Sequence, residues 1–140
     1  MNAPTYHQTP GPLGALFTTF GVSSSVKIPL RNATLITTSG QPGFDLQTGK
    51  LVTSSIRDEI SACFDCVHAA LQAAGAEEGL AKAYKISVYL TDVRYDPLVL
   101  EVWRERFLGH RPAMVTVGVG ALAQEGMRVE MVADAVVYDG

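Results

Sequence analysis

Three groups of residues in this sequence could do chemistry rather than fill space. The first lies in the last apolar segment, where Arg128, Glu130 and Asp134 recur at even spacing. Residues two apart on a strand share a face, so these charges line one side of it. A carboxylate such as Glu130 can act as a general base, orienting one water toward an electrophilic carbon. It can equally be a structural partner of Arg128 or Lys85. Asp134 is a candidate second carboxylate, against the plainer reading of an exposed strand end. The second group is Cys63 and Cys66, a CxxC arrangement. A redox pair of this spacing normally opens a helix, where the dipole lowers a thiol pKa. Here it falls in mid-helix, and no second CxxC or HxxxH completes a zinc site. The pair reads as two small apolar residues on one helix face, and neither metal nor cofactor is expected. The third group, His7, His68 and His110, is scattered, and a helix-end histidine such as His110 is expected at the surface.

The elements that position these residues follow from periodicity. Ile56, Ile60, Phe64, Val67, Leu71 and Ala74 recur every three or four positions, which predicts a helix over 55–74. Ser55 is its expected N-cap and Gly75 stands past its end. From Ala83 to Leu90 the pattern alternates, with Tyr84, Ile86, Val88 and Leu90 on one side, which predicts a half-exposed strand. Asp96 and Pro97 open a second helix as N-cap and N1, running to about Leu108. Val26–Pro29, Thr34–Ser39, a segment from Pro112 to Gly120 and Arg128–Tyr138 are the other strands, with a turn at Thr48-Gly49. The order is β, β, α, β, α, β, β. Two helices cannot cover both faces of such a sheet, so the expected class is α+β, a mixed sheet with two helices on one face. Val129, Met131, Ala133, Ala135 and Val137 make one side of the last strand apolar, while Val132 and Val136 lie on the other. A strand apolar on both sides is buried on both, so a second subunit is expected to cover the open face. Residues 1–25, rich in Thr, Pro, Gly and Ser, read as a flexible N-terminal arm beside a domain of residues 26–140. Within that arm Leu13, Leu16, Phe17 and Phe20 could pack on the domain or on a neighbour.

Composition limits the partners. The chain has 140 residues, 47% hydrophobic and 18% charged, with net charge −3. That suits one globular domain. Eleven Lys and Arg spread along the chain form no basic cluster, so no nucleic acid or membrane partner is expected. No basic and apolar leader opens the sequence, and no apolar run nears the ~20 residues that span a bilayer. A cytoplasmic protein is the expectation, and Asn32-Ala33-Thr34 reads as strand rather than as a glycosylation site.

Several segments taken in order resemble the RidA/YjgF family of reactive intermediate deaminases. Ser39-Gly40-Gln41 after TLITT, with the Thr48-Gly49 turn, is similar to its SGQ segment. The LQAAGA helix end, the KISVYLTD strand, Glu101-Val102-Trp103 with Phe107, and His110-Arg111-Pro112-Ala113 follow in register. So do Thr116–Val119 and Val129-Glu130-Met131, and the resemblance covers residues 30–138. It implies a chorismate-mutase-like (YjgF/RidA-like) fold in a trimeric, barrel-like assembly, with small-molecule pockets between subunits. It also implies hydrolysis of small enamines or imines, such as 2-aminoacrylate, to a keto acid and ammonia.

In that family an arginine after Pro-Ala binds the substrate carboxylate and a glutamate on the last strand positions the attacking water. Here the arginine position holds Met114, the glutamate is Glu130, and a family tyrosine falls at Val26. The resemblance thus makes Glu130 the catalytic candidate. Met114, Thr116, Ser39, Gly40, Tyr89 and Arg111 become the substrate-binding candidates. Methionine has no donor for a carboxylate and favours an apolar ligand. Arg111, three residues from Met114, is expected to face the other way. Two functions compete. One is a C=N hydrolase acting on a substrate other than the usual amino-acid-derived imine. The other is a non-deaminating small-molecule binder, or a specialised pathway enzyme, using the inter-subunit pocket of the same homotrimeric scaffold.

Overall fold

Helix α2 (Ile56–Ala73) forms where the apolar repeat predicts it, and the Ser55 side chain caps it by accepting from the Asp58 N–H at 3.0 Å. The structure is a computed structural model and describes residues 3–140. Around α2 lie β1 (Thr5–His7), α1 (Pro12–Phe20), β2 (Ser25–Pro29), β3 (Ala33–Thr38), β4 (Gln41–Pro42), β5 (Ala83–Leu90), α3 (Asp96–Arg106), β6 (Ala113–Gly118) and β7 (Val129–Tyr138). The strands make one mixed sheet in the order β1-β2-β3-β7-β5-β6, with β4 also paired to β7. Among the described residues only β5 and β6 pair in parallel.

Pairing register divides the sheet into two faces. On one, Ile36, Ile86, Val88, Leu90, Val129, Met131, Ala133 and Ala135 are buried together under α2 and α3. On the other lie Leu35, Val132 and Val136, with Val115 and Val117 44% and 40% exposed. Among the described residues no helix packs across the middle of that second face, so β7, apolar on both sides, has one side buried and the other half-buried.

Two expectations are corrected. Residues 1–25 read as a flexible arm whose Leu13, Leu16, Phe17 and Phe20 could pack on the domain; within it β1 pairs with β2 and α1 forms a regular helix that packs on the domain. Leu13 is fully buried, and with Phe17, Phe44 and Cys66 it forms a second, smaller core. The physical reason is that Leu13, Leu16, Phe17 and Phe20 already lie at helical spacing, with Pro12 in the first turn and Gly21 in the left-handed conformation at the end. Gly14 allows the close approach, since a Cβ there would lie 1.8 Å from the Thr9 carbonyl oxygen. Among the described residues there are therefore three α-helices, not two, and two additional strands, β1 and β4. The second correction concerns Asp96, which is the first residue of α3 rather than its N-cap. Asp92 does the capping, for the short 3₁₀ turn Val93–Tyr95 that precedes α3, by accepting from the Arg94 N–H. Asp96 is left free to accept from Thr116.

Candidate functional site

Glu130 sits on the uncovered face of β7, opposite Tyr89 on β5 and Pro42 on β4. Its carboxylate lies over Gly40: a Cβ at position 40 would fall 2.3 Å from Glu130 Oε2. Glycine at this point of the Ser39-Gly40-Gln41 turn is thus what admits the side chain. No donor among the described residues reaches the Glu130 carboxylate, and burial pushes its pKa above the ordinary glutamate value. It opens on a pocket of about 210 Å³. The walls come from Leu16, Phe17 and Phe20 of α1, with Phe44 and Met127. An ionisable group raised by desolvation beside a largely apolar pocket is a candidate general base.

The other candidates divide between two places. Gly40 and Tyr89 adjoin Glu130 as described. The Ser39 hydroxyl donates to the Ser23 carbonyl at 2.5 Å and its N–H donates to the Ser24 carbonyl, which ties this segment to the end of the arm. Met114 and Thr116 pair with Ile86 and Val88 and so lie on the helix-covered face, the opposite side of the sheet from Glu130. The Thr116 hydroxyl donates to Asp96 Oδ1 at 2.5 Å, tying β6 to α3. Met114 packs against the main core and lines a groove of about 370 Å³ between α3 and β6, together with Trp103, Phe107 and Arg111. Arg111 was expected to face away from Met114. It precedes β6, so strand alternation does not govern it, and both residues line the same groove. Val26 lies on β2 opposite Thr37, away from both places.

The remaining candidates have structural partners. Arg128 does not pair with Glu130. Its Nε donates to Glu59 Oε1 at 2.8 Å and its backbone N–H to Glu59 Oε2 at 2.8 Å. The Glu59 side chain is 1% exposed. Asp134 is not a free second carboxylate, since it accepts from the Thr37 hydroxyl at 2.6 Å. Cys63 and Cys66 are free and buried, donating to the carbonyls of Gln41 and Phe44. Burial pushes the Cys66 thiol up to about 12, so it is inert at neutral pH. His110 is fixed rather than superficial. Its Nε2 lies 2.8 Å from the Ala83 carbonyl oxygen and therefore carries the proton, while the Trp103 indole donates to the His110 carbonyl. Among the described residues no cluster of His, Cys, Asp and Glu is placed to hold a metal ion, and no helix is long and apolar enough to cross a membrane.

Sequence reasoning missed the Glu59–Arg128 pair, and it gave Leu16, Phe17 and Phe20 of α1 a packing role without bringing them to Glu130. The acidic residue on the buried side of α2 was the available signal for the pair. The helical spacing of Leu13, Phe17 and Phe20 was the signal for the helix.

The family model for Endoribonuclease L-PSP matches residues 23–137. A 2-iminobutanoate/2-iminopropanoate deaminase of Dermatophagoides farinae is 33% identical over 93 residues, 66% of this chain and 70% of that protein. The protein of the same description from Rattus norvegicus is 33% identical over 98 residues, 70% of this chain and 69% of the relative. The crystal structure of Rv2704 from Mycobacterium tuberculosis, a member of the YjgF/YER057c/UK114 family, superposes with a TM-score of 0.75. It is 25% identical and covers 96% of this chain and 100% of its own.

Proposed function

The chain belongs to the Endoribonuclease L-PSP family, also called YjgF/RidA, and from that premise we propose that it hydrolyses the C=N bond of a small imine or enamine with Glu130 as general base. The observation that carries this reading is the Glu130 carboxylate, unpaired by any described donor, raised by burial and lining a pocket. Its level above the ordinary value brings it closer to the neutral range in which a base works best. In the reaction Glu130 takes a proton from water as the water oxygen bonds to the imine carbon. The C=N electron pair moves to nitrogen, which takes that proton from the Glu130 carboxyl to give the carbinolamine. Glu130 then takes the carbinolamine hydroxyl proton and passes it to nitrogen as C=O forms and ammonia leaves, which returns Glu130 to the carboxylate. The deaminase names of the relatives support the reaction class.

The substrate is held otherwise than by an arginine at position 114. Met114 offers no donor, and within one chain it faces the other side of the sheet from Glu130. A site that uses both the Met114 groove and Glu130 needs a second chain. The uncovered face bearing Leu35, Val132, Val136, Val115 and Val117 supplies the reason for one to dock. We take the assembly to be a cytoplasmic homotrimer. Light scattering should give about three times 15.0 kDa, and a clean monomer at micromolar concentration refutes it. A non-deaminating binder on the same scaffold is the second reading, favoured by the methionine at position 114. Ammonia release from 2-iminopropanoate and from uncharged imines, measured for the wild type and Glu130→Gln, decides between them. Turnover that falls about 10²- to 10⁴-fold in the variant supports hydrolysis. Ligand binding without ammonia release from any imine supports the binder.

A further inference from the structure

We propose that Glu59 and Cys63 are positioning residues for the reaction: from one buried face of α2 they hold the Gly40 segment and the start of β7 in the relation that places the Glu130 carboxylate. The inference rests on the hydrolase reading above and adds what aims its base. Glu59, Cys63, Gln41 and Met131 are all fully buried within one chain, so a subunit docked on the uncovered face meets none of them. The arrangement is therefore the same in a single chain and in an assembly.

The need for such a hold comes from β4. This strand is two residues long, and the residue opposite Glu130 is Pro42, which has no N–H to donate to the ladder. Strand pairing alone leaves the segment from Gly40 to Gly43 weakly tied to β7. Yet the fit there is close, since a single added methyl at Gly40 would overlap Glu130 Oε2. A shift of this segment against β7 therefore displaces the carboxylate.

Helix α2 supplies the hold on both sides. Residues four apart share a helix face, so Glu59 and Cys63 reach the sheet together. The Cys63 thiol donates to the Gln41 carbonyl at 3.1 Å, and the Met131 N–H lies against its sulfur. Glu59 accepts from the Arg128 N–H and Nε, both at 2.8 Å. It also packs on Gly43, where a Cβ would fall 2.7 Å from Glu59 Cγ. Glu130 thus has a residue fixed by α2 on each side of it, Arg128 two places before and Met131 next. Gly40 beneath it belongs to a segment gripped at Gln41 and Gly43. A buried ion pair adds little net stability over a well-packed apolar pair, so what this one contributes is geometry.

The experiment uses the full-length protein, with ammonia release from 2-iminopropanoate and from acetone imine. Glu59→Asp keeps the charge and shortens the reach, whereas Glu59→Gln keeps the reach and loses the charge. Cys63→Ala removes the thiol donor, and Cys63→Ser keeps a donor. Glu59→Asp and Cys63→Ala are expected to lower kcat about ten- to a hundredfold with little change in KM, the scale of a misplaced catalytic group. Glu59→Gln and Cys63→Ser should each keep more of kcat than their counterparts. Val67→Ala, in the main core one turn beyond Cys63, is the control for lost stability and should leave kcat unchanged. Cys63→Ala is a small enough change to decide the matter even if Glu59→Asp fails to fold. Wild-type kcat in Cys63→Ala, or an equal fall in Val67→Ala, overturns the proposal while C=N hydrolysis stands. Titration of the Glu130 carboxyl by carbon NMR, assigned by its loss in Glu130→Gln, reads position without turnover. Its midpoint should move by about half a pH unit or more in Cys63→Ala and stay in Val67→Ala. If no probe is hydrolysed by the wild type, the hydrolase reading fails, and that midpoint alone then decides: a move upholds the positioning role and a fixed midpoint overturns it.

Discussion

Removing the arginine of the Glu59–Arg128 pair should strand a carboxylate in the core. Glu59 is on α2 with its side chain 1% exposed, and it accepts two hydrogen bonds at 2.8 Å, one from Arg128 Nε and one from the Arg128 backbone. Arg128→Met keeps the backbone donor and loses the guanidinium. Breaking a buried pair by deleting one partner costs about 3–5 kcal/mol. The surviving backbone bond, and the 35% exposure of the Arg128 side chain, place this case at the lower end, about 3 kcal/mol. For 140 residues the unfolding entropy near the midpoint is about 0.3 kcal/mol per kelvin. The expected fall in Tm is therefore about 10 °C, read by calorimetry. The double-mutant cycle tests the cause. In a Glu59→Gln background the side chain is neutral and still accepts from the Arg128 N–H, so Arg128→Met should then cost less than about 1 kcal/mol. Equal costs in the two backgrounds would refute the reasoning, because the loss could not come from a stranded charge. Arg128 is also the residue before β7, two places from Glu130, so the pair anchors the strand that presents the proposed base.

Four further outcomes are expected. Glu130→Gln should raise stability at neutral pH while removing activity. The folded-state pKa of Glu130 lies above the ordinary 4.5, so its stabilising contribution is full below that value and is lost as pH rises through the folded pKa. The variant's advantage in urea midpoint should accordingly vanish below pH 4.5, and a constant advantage across pH contradicts it. Gly40→Ala should leave the fold intact but move the carboxylate, since the new methyl meets the flexible end of Glu130; kcat should drop with little change in Tm. Met114→Arg should raise kcat/KM on 2-iminopropanoate about ten- to a hundredfold if a neighbouring chain brings Glu130 to the Met114 groove, and no gain points to the intra-chain pocket alone. Leu13→Ala, emptying a fully buried site in the small core, should cost about 2–5 kcal/mol in chemical denaturation; a change under 0.5 kcal/mol would mean that α1 is dispensable.

What was legible in the sequence depended on how far apart the cooperating residues lie. Helix α2 could be read directly because its apolar repeat, its Ser55 cap and its final glycine are all local. The alternation of β5 and β7 was equally plain, and it also gave the contrast between a buried face and an uncovered one. Helix α1 carries the same kind of repeat but is only nine residues long, set among Thr, Gly and Pro. Local propensity there is weak, and tertiary contact with Phe44 and Cys66 decides the outcome. The partner of Arg128 could not be read locally, because Glu59 is 69 positions away and on a different element.

The hardest feature to see was the division of the candidate site. Glu130 and Met114 are 16 positions apart in a sequence whose family resemblance treats them as one constellation. Alternation fixes the face of each residue only within its own strand. Relating two strands requires the register, and here β5 lies between β6 and β7. Met114 pairs with Ile86, Glu130 pairs with Tyr89, and Ile86 and Tyr89 are an odd number of residues apart on β5. The two residues must therefore point to opposite sides of the sheet. No side-chain rotation can undo that parity. A binding site containing both has to be completed by another copy of the chain, whereas a site built within one chain must pair Glu130 with the residues on its own side. Those residues are Gly40 beneath it and the apolar wall of α1 beside it, so the substrate class turns on which of these two arrangements the protein uses.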